Sequence, residues 1–253
     1  MQRIVIIHYH TFKNAGSTVD YILEREFTGC FGQIEGEHPW SVLGDAEMTA
    51  YLDANPNIVC VTSHQATLYH VVPVHLHILP VMFFRHPIDR VHSVYEFEKR
   101  QTGSMSRGSR KAKELDFDEY VQWRLSPEGG NVIKNTQAYV VSGRRNPILA
   151  KTMTDEQMRE AALHQIESMQ FFGIVEYFDE SIAWMRMFLE PVFPGLDYTY
   201  ERVNSSSGRA KTLEERLALI QDLLSAETYK TLVAENKIDI EVYEAALRRF
   251  ATR

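Results

Sequence analysis

Residues 8–23, HYHTFKNAGSTVDYIL, place a lysine, a glycine and two hydroxyls directly after the apolar run IVII. A buried strand that turns at KNAGST and starts a helix would present free backbone N–H groups and the positive end of the helix dipole to an anion. Gly16 lets the backbone approach a ligand closely, Ser17 and Thr18 add hydroxyl donors, and Lys13 supplies a point charge. Residue order narrows the choice of anion. A nucleoside-triphosphate loop reads G-x-x-x-x-G-K-[ST], with lysine after the glycine and a hydroxyl placed for magnesium. Here Lys13 precedes Gly16, which disfavours a Walker-type ATPase, and no G-x-G-x-x-G dinucleotide fingerprint is present. A plain strand-to-helix turn is the competing reading of the same residues.

The second constellation is FFRHPIDRVHSVYEF, residues 83–97. Arg85 ends an apolar strand, Pro87 suits the first turn of a helix, and Ser93 follows two turns after Arg85, so a forked donor and a hydroxyl could clamp one phosphate group. Arg90, with Asp89 and Glu98 close in sequence, reads as a surface ion pair. His8 and His10 share one strand face and could begin a metal site. Nothing downstream offers a matching cluster, so no metal is expected. His70, His75 and His77 are unevenly spaced and suit solvated or packing roles.

These residues need a scaffold, and composition bounds it. The 253 residues, 44% hydrophobic and 24% charged, suit one α/β domain spanning 1–253. A formal net charge of -7 gives no global affinity for nucleic acid. Cys30 and Cys60 lie in no metal-type spacing and read as buried thiols; with no signal-peptide anatomy and no apolar stretch long enough for a membrane span, a cytoplasmic location is expected. Short β-branched or aromatic runs at 3–9, 57–63, 77–84 and 171–176 predict buried parallel strands. Amphipathic stretches predict helices at 16–27, 45–54, 88–101, 117–125, 133–142, 154–169, 178–190, 213–224 and 239–251. The alternation implies a mainly parallel sheet with helices on both faces, a three-layer α/β fold. KRQTGSMSRGSRKAKE (99–114) is nearly devoid of apolar residues and is expected to be a mobile loop or a basic lid; NSSSGRAK (204–211) is expected to be a second loop.

Taken together, HTFKNAGST and FRHPIDRVHSVY resemble the sulfotransferases that use 3′-phosphoadenosine 5′-phosphosulfate, especially the branch that includes heparan sulfate 2-O-sulfotransferase-like enzymes. NTQAYVVSG (135–143), FFGIVEYFDESIAWM (171–185) and IDIEVYEAALRRF (238–250) are similar to further segments of that family, in order along the chain. Phe12 stands where the family loop has proline, and His86 where its R-D-P has aspartate. The resemblance implies a P-loop-like sulfotransferase fold and metal-independent sulfuryl transfer. Lys13 would stabilise the leaving bridging oxygen. The backbone from Asn14 through Ala15, Gly16 and Ser17 to Thr18, with the Ser17 and Thr18 hydroxyls, would hold the phosphosulfate. Arg85 and Ser93 would bind the 3′-phosphate, helped by Arg209 and Lys211 from the 204–211 loop. His64, just past the carboxyl end of a predicted strand, resembles the family's histidine base, and His10 is the second candidate.

Two other function classes fit parts of the pattern. A nucleotide-dependent kinase would need magnesium and an acidic strand end where this chain has Arg85. A non-catalytic nucleotide-binding module would keep the pocket without the chemistry. The acceptor could be a small molecule, a lipid or a carbohydrate. Tyr95, Phe97, Tyr120, Trp123 and Tyr139 are candidates to line its site, although aromatics on amphipathic helices are more often core.

Overall fold

The computed structural model describes residues 2–38, 41–103, 106–200 and 212–253. In chain order its elements are β1 (Arg3–Tyr9), α1 (Gly16–Glu26), β2 (Phe31–Gln33), α2 (Asp45–Ala54), β3 (Cys60–Ser63), β4 (Leu76–Val81), β5 (Phe83–Phe84) and α3 (Pro87–Arg100). There follow α4 (Arg107–Glu114), α5 (Phe117–Leu125), α6 (Thr136–Val141), α7 (Pro147–Thr152), α8 (Asp155–Ser168), β6 (Gly173–Ile174), α9 (Phe178–Leu189), α10 (Leu213–Leu223), α11 (Ala226–Glu235) and α12 (Lys237–Ala251). Four parallel strands pair in the order β2-β3-β1-β4, and β5 pairs with β6 in a separate two-stranded sheet.

Alternation along β1 sorts the core into layers. Val5, Ile7 and Tyr9 pack with Met48 and Leu52 of α2, Met158 and Ala162 of α8, and Val242 of α12. On the opposite face Ile6 packs with Val19, Ile22 and Leu23 of α1 and Ile182, Met185 and Leu189 of α9. The chain is therefore an α/β protein with a parallel sheet flanked by helices, as expected. His8, in step with Ile6, lies on the α1 face. A third apolar cluster joins α3, α4, α5, α10 and α11 without a strand, and Tyr95 and Tyr120 belong to it rather than to a surface site.

Several expectations need correction. The run 77–84 is not one strand: β4 ends at Val81, and Met82 turns the chain so that its carbonyl accepts from Gly173 N at 2.8 Å and β5 pairs with β6. Pro80 has no N–H to donate, which the edge position of β4 tolerates. The segment 99–114 is not a loop: α3 runs to Arg100, and 107–114 is a helix capped by Ser106, whose hydroxyl accepts from Ser109 N. The packing face of α4 is built from small residues, Gly108, Ser109 and Ala112, which is why the segment looks devoid of core. A Cβ on Gly108 would fall 2.1–2.5 Å from the Arg124 and Glu98 side chains. Arg90 is no surface ion pair. Its guanidinium is fully buried and donates to Val132 O (2.8 Å) and Thr136 Oγ1 (2.9 Å), while Asp89 pairs with Arg85 and Glu98 with Arg124. Cys60 is buried, but Cys30 only partly so. The 204–211 loop, with Arg209 and Lys211, lies outside the described residues.

Candidate functional site

The loop after β1 takes left-handed backbone at Lys13 (φ 67°) and Ala15 (φ 61°) before α1 begins at Gly16. Left-handed residues within a tight turn gather N–H groups toward one concavity. No described side chain caps the amino end of α1; Thr18 N turns back onto Ala15 O (3.1 Å), which leaves the N–H groups of Gly16 and Ser17 to meet an anion. Ser17 is exposed and Thr18 buried. The Lys13 ammonium sits 4.4 Å from the Phe97 ring centroid, and Phe12 meets the same ring edge-on at 5.4 Å.

Asn14 differs from its neighbours. Its backbone N–H goes to Thr11 O (3.1 Å), and its side-chain amide donates to Phe83 O (2.7 Å) and Gln137 Oε1 (2.8 Å). Its donors brace the loop. Gln137 also accepts from Arg85 N at 2.9 Å and donates to Arg85 O at 2.8 Å, so one buried amide locks the Lys13–Gly16 loop to the end of β5. Gln137 is held in turn by Asp239 of α12, whose carboxylate accepts from Gln137 N (3.1 Å) and Ala138 N (2.7 Å) at the start of α6.

Arg85 reaches the loop directly, donating from Nη1 to Lys13 O at 3.1 Å. Its Nε and Nη2 hold Asp89 at 2.9 and 2.7 Å, and Arg216 of α10 takes the other Asp89 oxygen at 2.9 Å. Two guanidinium groups thus share one buried carboxylate beside the loop. Ser93 lies two turns further along α3 and is buried.

Strand order assembles the histidines. Because β2, β3 and β1 are adjacent and parallel, Glu35, His64 and His10 follow their carboxyl ends side by side. The His64 ring stacks on His10 with centroids 3.8 Å apart, and its Nδ1 lies 2.9 Å from Glu35 Oε1. The His10 ring covers Gly16, where an added Cβ would come within 2.0 Å of Cδ2. Asp20 of α1 engages His8 Nδ1 at 2.6 Å and His10 Nδ1 at 2.8 Å, one with each oxygen. Burial lowers the His10 imidazole pKa, against the Asp20 hydrogen bond. Burial alone would raise the Asp20 carboxyl, but His8 and His10 outweigh it and hold it far below the usual carboxylate range. The histidine pair does therefore meet a third potential ligand: His8, His10 and Asp20 place ligand atoms within 4.8 Å of one another. A proton on each Nδ1 satisfies the same geometry.

The structure thus brings Lys13, His10, His64 and Arg85 around one loop. Asp20, Glu35, Arg145 and Arg216 were not singled out from sequence. Asp20 carried a readable signal, four residues after Gly16 on the new helix. Glu35 follows a strand too short to predict.

His86 donates its backbone N–H to Glu176 Oε1 at 2.9 Å, and its buried Nδ1 has no hydrogen-bond partner among the described residues. Burial pushes its pKa down to about 4, Asp89 opposing and Arg216 and Arg85 adding to the fall. Between the usual 6.5 and about 4 the unfolded chain binds a proton at His86 that the folded chain does not, so stability falls as pH falls through that window. From neutrality to about pH 4, wild type is expected to lose more Tm than His86→Gln. Burial raises Glu176 and Asp239, which act in the opposite sense but are present in both proteins. Parallel Tm profiles would refute the assignment.

Fold and site together define a parallel α/β protein with an uncapped helix start and a histidine–carboxylate cluster at the carboxyl edge of its sheet. The chain belongs to the same family as an uncharacterized protein of Archaeoglobus fulgidus, with 31% identity over 251 residues covering 96% of each chain. No family model matches the chain. Among solved structures, a sulfotransferase from Alicyclobacillus acidocaldarius is similar over 96% of this chain and all of that one, with a TM-score of 0.36 and 16% identity. No helix among the described residues is long and apolar enough to cross a membrane.

Proposed function

We propose that the protein is a sulfotransferase that uses 3′-phosphoadenosine 5′-phosphosulfate on a P-loop-like α/β fold and needs no metal. The observation that carries the proposal is the uncapped start of α1 behind Lys13, tied by Arg85 to a buried cluster in which two guanidinium groups meet at Asp89. That combination suits a ligand with two separated anionic groups. The order of Lys13 and Gly16 supports it over a magnesium–nucleotide site. The donor would supply a sulfuryl group, and the chain would supply positioning and charge.

In this scheme the N–H groups of Ala15, Gly16 and Ser17 and the Ser17 and Thr18 hydroxyls hold the phosphosulfate, with Asn14 bracing them from behind and Thr18 N engaged by Ala15 O. Lys13 leaves Phe97 and neutralises charge on the bridging oxygen. Arg85 and Ser93 bind the 3′-phosphate, with Arg209 and Lys211 as further contacts. His64 takes the acceptor's proton: its side chain is 43% exposed, whereas that of His10 is 7% exposed and committed to Asp20. His10 backs the His64 ring.

Calorimetric titration with 3′-phosphoadenosine 5′-phosphate, set against magnesium–ATP, tests the proposal. Wild type should bind the bisphosphate without metal, and Arg85→Ala and Lys13→Ala should bind it at least tenfold more weakly, each losing a charged contact. Lys13→Ala serves as the second probe because Arg85 also braces the fold. Preference for magnesium–ATP would overturn the assignment.

A further inference from the structure

We propose that Glu35 is the positioning residue for His64, fixing its tautomer so that Nε2 faces chemistry as a proton acceptor; this rests on the sulfotransferase reading above. Glu35 Oε1 receives two donors from the same residue, the His64 ring Nδ1–H at 2.9 Å and its backbone N–H at 2.8 Å. A neutral imidazole has a single N–H, so donation through Nδ1 leaves the lone pair on Nε2. Arg145 closes the clamp from the other side, donating from Nη1 to His64 O at 2.5 Å. The stack on His10 sets the ring plane.

Strand geometry makes the pairing rigid. Thr62 O of β3 accepts from Ile34 N at 3.1 Å, one residue before Glu35 and two before His64, so the ladder itself delivers carboxylate to imidazole. Burial would raise the Glu35 carboxyl, yet the His64 side-chain and backbone bonds outweigh it and Arg145 adds to them, leaving it lowered and ionised. An ionised carboxylate on Nδ1–H is the partner an imidazole needs when it becomes imidazolium.

The acceptor oxygen forms a bond to sulfur as the bond from sulfur to the bridging phosphate oxygen breaks, and that electron pair leaves on the bisphosphate. The acceptor proton passes to His64 Nε2, and Glu35 balances the new positive charge through Nδ1–H.

The test uses ¹⁵N-histidine-labelled full chain, with His64 identified by its loss in His64→Gln. Wild type should show His64 as the Nδ1–H tautomer, and Glu35→Ala should show a mixture. Glu35→Gln should keep the tautomer, because its amide oxygen accepts the same bond. Release of bisphosphate from the phosphosulfate, with water as acceptor, should fall on the order of 10²-fold in Glu35→Ala. Calorimetric affinity for the bisphosphate should be unchanged in both variants, a split that a purely structural role would not produce. An Nε2–H tautomer in wild type, or wild-type turnover in Glu35→Ala, would overturn the role of Glu35 while leaving the sulfotransferase reading intact. Failure of wild type to bind the bisphosphate would overturn both.

Discussion

Gly16→Ala is expected to abolish binding of 3′-phosphoadenosine 5′-phosphate and to lower the Tm by roughly 5–10 °C, the consequence of about 2–3 kcal/mol of overpacking. The added methyl would lie 2.0–2.5 Å from three atoms of the His10 ring. That ring cannot swing away cheaply, because Asp20 holds its Nδ1 and His64 stacks on it. Either the ring breaks both contacts or the start of α1 moves, and each displaces the N–H groups proposed to hold the phosphosulfate. The damage should be smaller when His10→Ala has already cleared the space, so a double-mutant cycle should show strong coupling between the two sites. Calorimetry and thermal melts of the four proteins measure it. A Gly16→Ala protein with wild-type Tm and affinity would show that the His10 ring does not cover the loop.

Asp239→Ala is expected to cost roughly 3–5 kcal/mol, more than any surface substitution, because it strips two buried backbone donors of a charged acceptor. Gln137 N and Ala138 N both end on this carboxylate, and Asp239 is fully buried. The start of α6 would be left without partners, and Gln137 would lose its anchor. Asp239→Asn should cost less, since one oxygen remains to accept. Denaturant titration should show a lower midpoint with an unchanged m-value, and bisphosphate affinity should fall with it because Gln137 no longer fixes Asn14 and Arg85. A midpoint within error of wild type would refute the bracing role.

The regular elements were legible where local pattern matches global packing. The expected ranges 45–54 and 117–125 match α2 and α5 to the residue, the cap read at Thr154 is the one that opens α8, and β1 was readable because it is buried on both faces. α4 was misread because its packing face is made of glycine, serine and alanine, which carry no apolar signal. β2 was missed because three residues containing a glycine do not show a period. The phosphate-type loop and Arg85 were visible as motifs, and His64 as a histidine after a strand. Glu35 was not, because its partnership with His64 is created by the adjacency of β2 and β3. Arg90 was misjudged for a similar reason. Charges near in sequence suggested an ion pair, while the fold gave those carboxylates to Arg85, Arg216 and Arg124.

The chain of contacts from Asn14 through Gln137 to Asp239 also orders events during synthesis. The loop is made before its brace, which follows 123 residues later, and the anchor of that brace comes another 102 residues after that. Closing such distant contacts is entropically slow compared with forming a helix or a hairpin. The braced form of the loop is therefore among the last features this chain acquires as it folds. A chain ending before α12 would lack the carboxylate that fastens Gln137, and with it the brace that shapes the loop.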